Sequence, residues 1–215
     1  MKDTKALPYR RNHRHIAIEP RWQPIERYTS ADLPGPSRYW LSDDGSLTGR
    51  LIQSRRGPFR VQRLYQGWEE PLLSERQLLG MASRQLALVR EVTLLVADQP
   101  VVFARSVFPI TSLTGSLTHL RRLQNKSLGA ILFQHPGMHR WPFELAHMPG
   151  NSDYLPDSLH QAEPAWGRRS RFEIQGKGLM VSEVFLRRFE PWPVSLPVHR
   201  AHRGKVNTAI MSPTQ

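Results

Sequence analysis

Leu86-Ala-Leu-Val-Arg-Glu-Val-Thr-Leu-Leu-Val-Ala97 is the stretch of sequence that decides the fold. It is rich in leucine and valine and contains neither glycine nor proline, so it predicts a β-strand. Side chains alternate between the two faces of a strand. The even-numbered face carries Arg90 in an otherwise apolar row, and the odd-numbered face, which holds Glu91 and Thr93, is predicted to be partly solvated.

A second strand, predicted over residues 178–186, repeats this pattern with the opposite charge, because Glu183 stands alone among bulky apolar residues on its face. An arginine keeps its proton inside a protein, so a buried Arg90 needs an anion or carbonyl oxygens as partners. Two interpretations stay open. The two charges could form a buried salt bridge, or they could stand at opposite ends of a pocket, Arg90 binding a carboxylate and Glu183 meeting a hydroxyl. Arg105 is a third candidate for a buried charge.

The remaining patterns favour an α+β fold. Further strands are predicted over residues 59–66, 101–109 and 170–176. Helical and strand signals alternate without the regular βαβ rhythm of a parallel sheet, which indicates an antiparallel sheet with flanking helices.

Two serines mark predicted helix starts. Ser46 precedes Leu47, and Ser127 precedes Leu128. Serine is a favoured N-cap residue because its hydroxyl accepts a hydrogen bond from an amide of the first turn. Leu47 and Leu128 are therefore expected in first turns, where unpaired amides and the helix dipole favour an anion.

The length of 215 residues predicts one domain with appendages. Residues 1–27 lack periodicity and are expected to form a basic, disordered extension. The domain proper is predicted over residues 28–190, with an irregular surface loop at 148–163. Residues 191–215 are expected to form a Pro-rich basic tail.

Composition narrows the class of protein. The chain has no cysteine, which excludes disulfides, zinc-thiolate sites and thiol nucleophiles. No apolar segment predicts a signal peptide or a membrane span, so a cytoplasmic location is expected. The net charge of +12 raises the question of nucleic-acid binding. Basic residues crowd the two ends without forming a recognition motif, so we expect solvated tails and attraction of an anionic substrate, not specific nucleic-acid binding.

Metal binding is not expected. His135 and His139 have the spacing of a helical metal site, but Pro136 and Gly137 between them disfavour the helix that would align the two rings.

Six segments together resemble the bacterial chorismate-pyruvate lyases of ubiquinone biosynthesis. Each is weak alone, but their order and approximate spacing agree with that family over residues 38–190. They are Asp44-Gly-Ser-Leu-Thr48, Leu88-Val-Arg-Glu-Val92, Ala104-Arg-Ser-Val-Phe-Pro-Ile-Thr-Ser-Leu-Thr-Gly115, Leu128-Gly-Ala-Ile-Leu-Phe133, Trp166-Gly-Arg-Arg-Ser-Arg171 and Leu179-Met-Val-Ser-Glu-Val-Phe-Leu186.

The resemblance implies a six-stranded antiparallel sheet with flanking helices and an apolar cavity closed by flaps. It implies that Arg90 binds the ring carboxylate of chorismate, with help from the main-chain amides of Leu47 and Leu128. It also implies that Glu183 lies near the 4-hydroxyl, where it could act as a base at C4 or orient the hydroxyl. Arg105 could face the second carboxylate. The implied activity releases pyruvate from chorismate and leaves 4-hydroxybenzoate, the first committed step of ubiquinone biosynthesis, without a cofactor. We expect a monomer.

The chain departs from the family pattern in three ways. Leu47 stands where a methionine is familiar, residues 148–163 look like an insertion, and the terminal extensions have no counterpart in the family. The main alternative is a non-catalytic effector-binding module, since some bacterial transcription regulators carry a ligand domain that resembles this fold. A related enzyme that converts chorismate into a different benzoate is a further alternative, which the pairing of Arg90 with Glu183 disfavours.

Overall fold

An antiparallel β-sheet organises the structure, a computed structural model that describes residues 16–29, 31–192, 196–202 and 205–211. The strands are β1 (Gln23–Pro24), β2 (Phe59–Glu69), β3 (Ala87–Val96), β4 (Gln99–Pro109), β5 (Met138–Arg140), β6 (Glu144–Met148), β7 (Ala165–Ile174), β8 (Lys177–Phe185), β9 (Leu196–His202) and β10 (Lys205–Met211).

The main sheet has the strand order β1-β6-β7-β8-β4-β3-β2, and β5 pairs with β7 beyond the end of β6. It therefore contains eight strands, and the expected number of six is wrong. The two additional strands are the short β1 and β5, which contain two and three residues. Segments this short carry no alternation by which a sequence pattern could reveal them.

Four α-helices pack around the sheet: α1 (Ser37–Ser42), α2 (Leu47–Gln53), α3 (Leu73–Leu79) and α4 (Leu128–Gln134). Short 3-10 helices cover Ile25–Arg27, Ile110–Ser112, Gly115–Arg122 and Asp157–Leu159. The described residues include no helix with the length and apolarity needed to cross a membrane. The protein is thus a single α+β domain built on an antiparallel sheet.

Tight turns fix the register of the central strands. Ala97 and Asp98 join β3 to β4, and both have positive φ angles, of 48° and 59°. Gln175 and Gly176 join β7 to β8 in the same way, with φ angles of 52° and 75°. Two-residue turns with positive φ match the right-handed twist of the strands that they connect. They place Arg90 and Glu183 on the same face of the sheet.

Helices α1, α2 and α4 and the 3-10 helix Gly115–Arg122 cover the face that carries Arg90. Their apolar residues pack against the even-numbered side chains of β3 and against neighbouring strands. The opposite face is covered by α3 and by the loop between β6 and β7, which contributes the fully buried Tyr154 and Leu155.

The odd-numbered face of β3 is buried, so the prediction of a partly solvated face is wrong. Glu91 and Thr93 are only 2% and 3% exposed. The polar residues on this face suggested solvent, but α3 covers them and brings the fully buried Glu75 into contact with Arg105 on β4. Charged residues can be buried in this way when they are paired.

The ends of the predicted domain also differ from the structure. Residues 16–27, expected to be disordered, include β1, which pairs with β6, and Trp22, whose ring lies 5.8 Å from that of Tyr154. Residues 1–15 lie outside the described part. Within the predicted tail 191–215, β9 and β10 form an antiparallel hairpin that the sequence did not predict.

Candidate active site

A cavity lies between the sheet and the helices α2 and α4. It contains about 530 Å³ of empty space, part of which is open to solvent. Apolar side chains dominate its wall, and only three charged residues line it. The lining residues are Gly45, Leu47, Thr48, Val61, Arg90, Val92, Leu94, Ala104, Ser106, Ser127, Leu128, Gly129, Leu132, Phe133, Arg140, Phe172, Val181 and Glu183.

Two rows of paired residues across the sheet form the floor of the cavity. One row runs Arg90–Ser106–Val181–Ser170, and the other runs Val92–Ala104–Glu183–Arg168, each across β3, β4, β8 and β7. The floor between the charged residues consists of small or medium side chains. No bulky side chain of these two rows therefore lies between Arg90 and Glu183.

Arg90 is a buried cation without a carboxylate partner in the described part of the chain. It is 2% exposed, and its Nη2 donates to the carbonyl oxygens of Gln124 and Lys126 at 2.9 and 2.8 Å. Its Nε, although buried, has no hydrogen-bond partner there. Burial and the neighbouring Arg63 lower the pKa of Arg90 to about 10. Arg90 is therefore held in place by carbonyl groups while hydrogen-bonding capacity remains for an anion.

The first turns of α2 and α4 meet beside Arg90. Ser46 and Ser127 cap these helices as predicted, since their hydroxyls accept hydrogen bonds from the third helical amides at 3.2 Å. The Ser127 hydroxyl also lies 3.0 Å from that of Thr48, so the two helix starts are in contact. No hydrogen bond from the amides of Leu47 and Leu128 is found among the described residues. Unpaired first-turn amides attract anions.

Glu183 is paired with Arg168, and the open alternative of a salt bridge to Arg90 is wrong. Arg168 Nε donates to Glu183 Oε2 at 2.7 Å, and Arg168 Nη1 donates to the carbonyls of Trp40 and Asp43 at 2.6 and 2.8 Å. The Glu183 side chain is 16% exposed and lines the cavity. Arg168 thus fixes one carboxylate oxygen, and the other is available to a ligand.

Arg140 is the second cation of the cavity wall. Its guanidinium lies over the rings of Phe133, Phe143 and Phe172, at 5.7, 4.0 and 4.9 Å from their centroids. Its Nε donates to Ser170 Oγ at 2.9 Å. Burial and the nearby Arg168 lower the pKa of Arg140 to about 9, although Glu183 and two aspartates oppose this shift.

Arg105 does not reach the cavity, so the expectation that it could face a second carboxylate is wrong. It is buried, as predicted, but it lies on the opposite face of the sheet, because its strand neighbour Ala104 faces the cavity. Its guanidinium binds Glu75 at 2.8 and 3.1 Å, Glu91 at 2.9 Å and Glu69 at 3.4 Å. We refer to Arg105 and these three glutamates as the carboxylate cluster.

Two cations near the cavity were not predicted. Arg168 shares a strand face with Phe172, and this parity could have indicated its burial. Arg140 lies in a segment interrupted by Pro136, Gly137 and Pro142, where no periodicity assigns a face. Within the described residues no group of three or more histidine, aspartate or glutamate residues could hold a metal ion. The absence of a cofactor stays a prediction.

Solved structures share this fold at low sequence identity. The effector domain of PhnF from Mycobacterium smegmatis matches with a TM-score of 0.50 and 13% identity, over 68% of this chain and 91% of that domain. The C-terminal domain of the histidine utilization repressor from Pseudomonas syringae pv. tomato matches with a TM-score of 0.50 and 12% identity, over 63% and 96%. At such identity the likeness shows the fold alone. Fold and cavity define a single α+β domain in which helices cover a cavity on one face of an antiparallel sheet.

Sequence relatives narrow this class to one family. The family model for chorismate lyase matches residues 20–191. A probable chorismate pyruvate-lyase of Pseudomonas putida is 40% identical over 165 residues, 77% of this chain and 87% of the relative. Those of Pseudomonas aeruginosa and Nitrosomonas europaea are 42% and 36% identical over 69% and 77% of this chain, and 82% and 92% of the relatives. The protein belongs to the chorismate lyase family.

Proposed function

We propose that this protein is a chorismate-pyruvate lyase that converts chorismate into 4-hydroxybenzoate and pyruvate. The observation that carries the proposal is the cavity of a chorismate lyase family member. In it, a floor of small residues is flanked by an oriented Glu183 and by a buried Arg90 that has no carboxylate partner among the described residues. The product would be the aromatic precursor of ubiquinone, as the resemblance to lyases of that pathway implies.

The reaction needs positioning more than difficult chemistry. The C3–O bond to the enolpyruvyl group breaks, the C4 hydrogen leaves as a proton, and the ring becomes aromatic. The released enolpyruvate takes up a proton and becomes pyruvate. Aromatisation supplies much of the driving force, so the protein has to hold the flexible dianion in a reactive conformation, exclude water and stabilise charge on the leaving group.

We assign the ring carboxylate to Arg90 and to the amides of Leu47 and Leu128. This assignment is supported by the convergence of three donors on one end of the cavity: a guanidinium and the first turns of two helices. Hydrogen bonds from a charged donor to a carboxylate are stronger than neutral ones. Because an amide of the main chain would make the contact, leucine in place of methionine at position 47 should not weaken it.

We assign the 4-hydroxyl to Glu183. In a flat sheet its Cα would lie about 12 Å from that of Arg90, given a separation of two strands and an offset of two residues. Side chains stand roughly perpendicular to a sheet, so two that are separated by this distance leave room between them for one six-membered ring. The hydrogen bond from Arg168 occupies one oxygen of the Glu183 carboxylate and fixes its orientation. We therefore infer that Glu183 orients the hydroxyl and does not have to accept the C4 proton itself.

Pyruvate release from chorismate by wild-type protein tests this function, and Glu183→Gln tests the role of the glutamate. Because the glutamine oxygen can still accept a hydrogen bond from the hydroxyl, we expect kcat to stay within about tenfold of wild type, whereas removal of an obligatory base would cost at least about 100-fold. Steady-state kinetics at saturating chorismate distinguish a glutamate that orients the hydroxyl from one that is an obligatory base. The control is Glu173→Gln, which removes a half-exposed carboxylate paired with Arg171 outside the cavity.

The effector-binding alternative has one observation in its favour, namely the shared fold with effector domains of transcription regulators. Those matches have 12–13% identity, whereas the probable chorismate pyruvate-lyases have 36–42%. The lyase is therefore favoured. Binding of 4-hydroxybenzoate without any turnover of chorismate would support the alternative.

A further inference from the structure

We propose that Arg140 binds the enolpyruvyl carboxylate of chorismate and thereby makes the site selective for a dicarboxylate over its monocarboxylate product. This assignment rests on the proposed function, and it concerns a residue that neither the sequence patterns nor the motifs of the chain indicated.

The charges of the cavity wall indicate that Arg140 binds an anionic group of the ligand. Arg90, Arg140 and Glu183 are the charged residues that line it, and Arg168 behind the wall already pairs with Glu183. Two cations therefore remain, and chorismate has two carboxylates. No ion pair in the described part of the chain includes Arg140. Arg90 is buried and Arg140 is partly buried. Removing a cation from water without giving it an anionic partner is costly, so a ligand that supplies an anion binds with a corresponding gain.

The position of Arg140 fits the enolpyruvyl carboxylate of chorismate and not the ring carboxylate. In the sheet, β5 lies beyond β7, so Arg140 and Arg90 are four strands apart, which corresponds to about 19 Å between their Cα atoms in a flat sheet. Arg140 is close enough to Glu183 for the negative charge of this carboxylate to oppose the lowering of the Arg140 pKa. In chorismate the ether carbon C3 adjoins C4, so a ligand with its 4-hydroxyl at Glu183 places the enolpyruvyl group next to that end of the cavity.

The surroundings of Arg140 leave N–H groups of its guanidinium available to donate hydrogen bonds to a ligand. Aromatic rings cover the faces of its guanidinium, and such stacking leaves the N–H groups at the edge free to donate. Nε is used by Ser170, and Nη1 lies 3.4 Å from the Asp44 carbonyl oxygen, a long contact. Nη2 donates no hydrogen bond within the described residues. A carboxylate could thus be bound in the plane of the guanidinium, at its Nη edge.

Arg140 is also expected to stabilise the negative charge that develops on the enolpyruvate leaving group. When the C3–O bond breaks, negative charge develops on the enolpyruvate oxygen, close to the carboxylate of the same three-carbon unit. A cation bound to that unit stabilises the transition state more than the ground state. Loss of Arg140 should therefore lower kcat as well as raise KM.

The test compares two stable ligands in the full chain by calorimetry: 4-hydroxybenzoate, with one carboxylate, and 3-(carboxymethoxy)-4-hydroxybenzoate, which adds an ether-linked carboxylate at C3. We expect Arg140→Gln to raise the Kd of the dicarboxylate by roughly 30-fold or more and that of 4-hydroxybenzoate by less than about threefold. Arg171→Gln, which removes an arginine stacked on Trp141 outside the cavity, should change neither.

An equal loss of affinity for both ligands would overturn the proposal, because it would mean that Arg140 only supports the fold. Arg140→Lys keeps the charge if the glutamine variant fails to fold, and it should retain a preference for the dicarboxylate; a lysine variant with equal affinities would also overturn the proposal. Because neither ligand reacts, the outcome is independent of whether wild-type protein converts chorismate. A wild-type failure of turnover would contradict the proposed function alone.

Discussion

Replacing Arg90 with alanine is expected to weaken the binding of 4-hydroxybenzoate by about 30- to 5,000-fold. A charge-assisted contact to a carboxylate in a buried site is worth about 2–5 kcal/mol, which corresponds to this range. The loss has two physical sources. The guanidinium no longer meets the carboxylate, and the carbonyls of Gln124 and Lys126, which precede α4, lose their donor. The Leu128 amide would then be held less firmly.

Isothermal calorimetry with 4-hydroxybenzoate measures this effect, and thermal unfolding verifies that the variant is folded. Arg60→Ala is the matched control, because it removes an equal charge from an exposed ion pair with Asp98 on the neighbouring turn. Its Kd should equal that of wild type. If Arg90→Ala binds 4-hydroxybenzoate as tightly as the wild-type protein does, Arg90 does not bind the ring carboxylate.

Replacing Arg105 with methionine is expected to lower the free energy of unfolding by about 3–5 kcal/mol, the usual cost of removing one partner of a buried ion pair. Glu75 and Glu91 would remain buried without their main cation, since they are 0% and 2% exposed. In the wild-type protein, burial disfavours the charged guanidinium, but Glu75 and Glu91 raise the pKa of Arg105 well above its usual value. Denaturant unfolding measures the loss.

The loss should depend on pH. Burial already raises the pKa of Glu69 to about 7, against the opposing effect of Arg105. Without Arg105, the folded-state pKa of Glu69 is expected to rise further above that of the unfolded chain. Folding then takes up protons, so stability falls as pH rises through this window. The loss caused by Arg105→Met should therefore be smaller at pH 5 than at pH 8.

A partial rescue provides the control for this prediction. Adding Glu91→Gln to Arg105→Met removes one of the buried negative charges that Arg105 neutralises and should recover part of the lost stability. A loss below about 1 kcal/mol for Arg105→Met, or the same loss at both pH values, would contradict the view that the carboxylate cluster depends on this cation.

Sequence patterns predicted the parts of the site that depend on local rules. Alternation along β3 and β8 placed Arg90 and Glu183 on apolar faces, and the cavity contains both. The serine caps predicted where α2 and α4 begin. These features follow from the period of a strand and from the geometry of a helix start, which are properties of a few neighbouring residues.

The remaining features depend on residues distant in sequence. Arg168, and not Arg90, pairs with Glu183, because β7 and β8 bring these two residues directly opposite each other. The odd face of β3 is buried because α3 covers it, and no pattern within residues 86–97 contains that information. Arg140 reaches the cavity through a three-residue strand that pairs beyond the end of β6. Tertiary packing decides such placements, and the period of one segment cannot reveal them.

The most direct test of the lyase assignment is a product analysis of the wild-type chain incubated with chorismate and a chelator. We expect pyruvate and 4-hydroxybenzoate to appear in equal amounts, at a rate that the chelator does not change. Release should slow as 4-hydroxybenzoate accumulates, because the product keeps the contacts to Arg90 and Glu183. Chorismate that stays intact in the presence of folded protein able to bind 4-hydroxybenzoate, or is converted without equimolar pyruvate, would contradict the assignment.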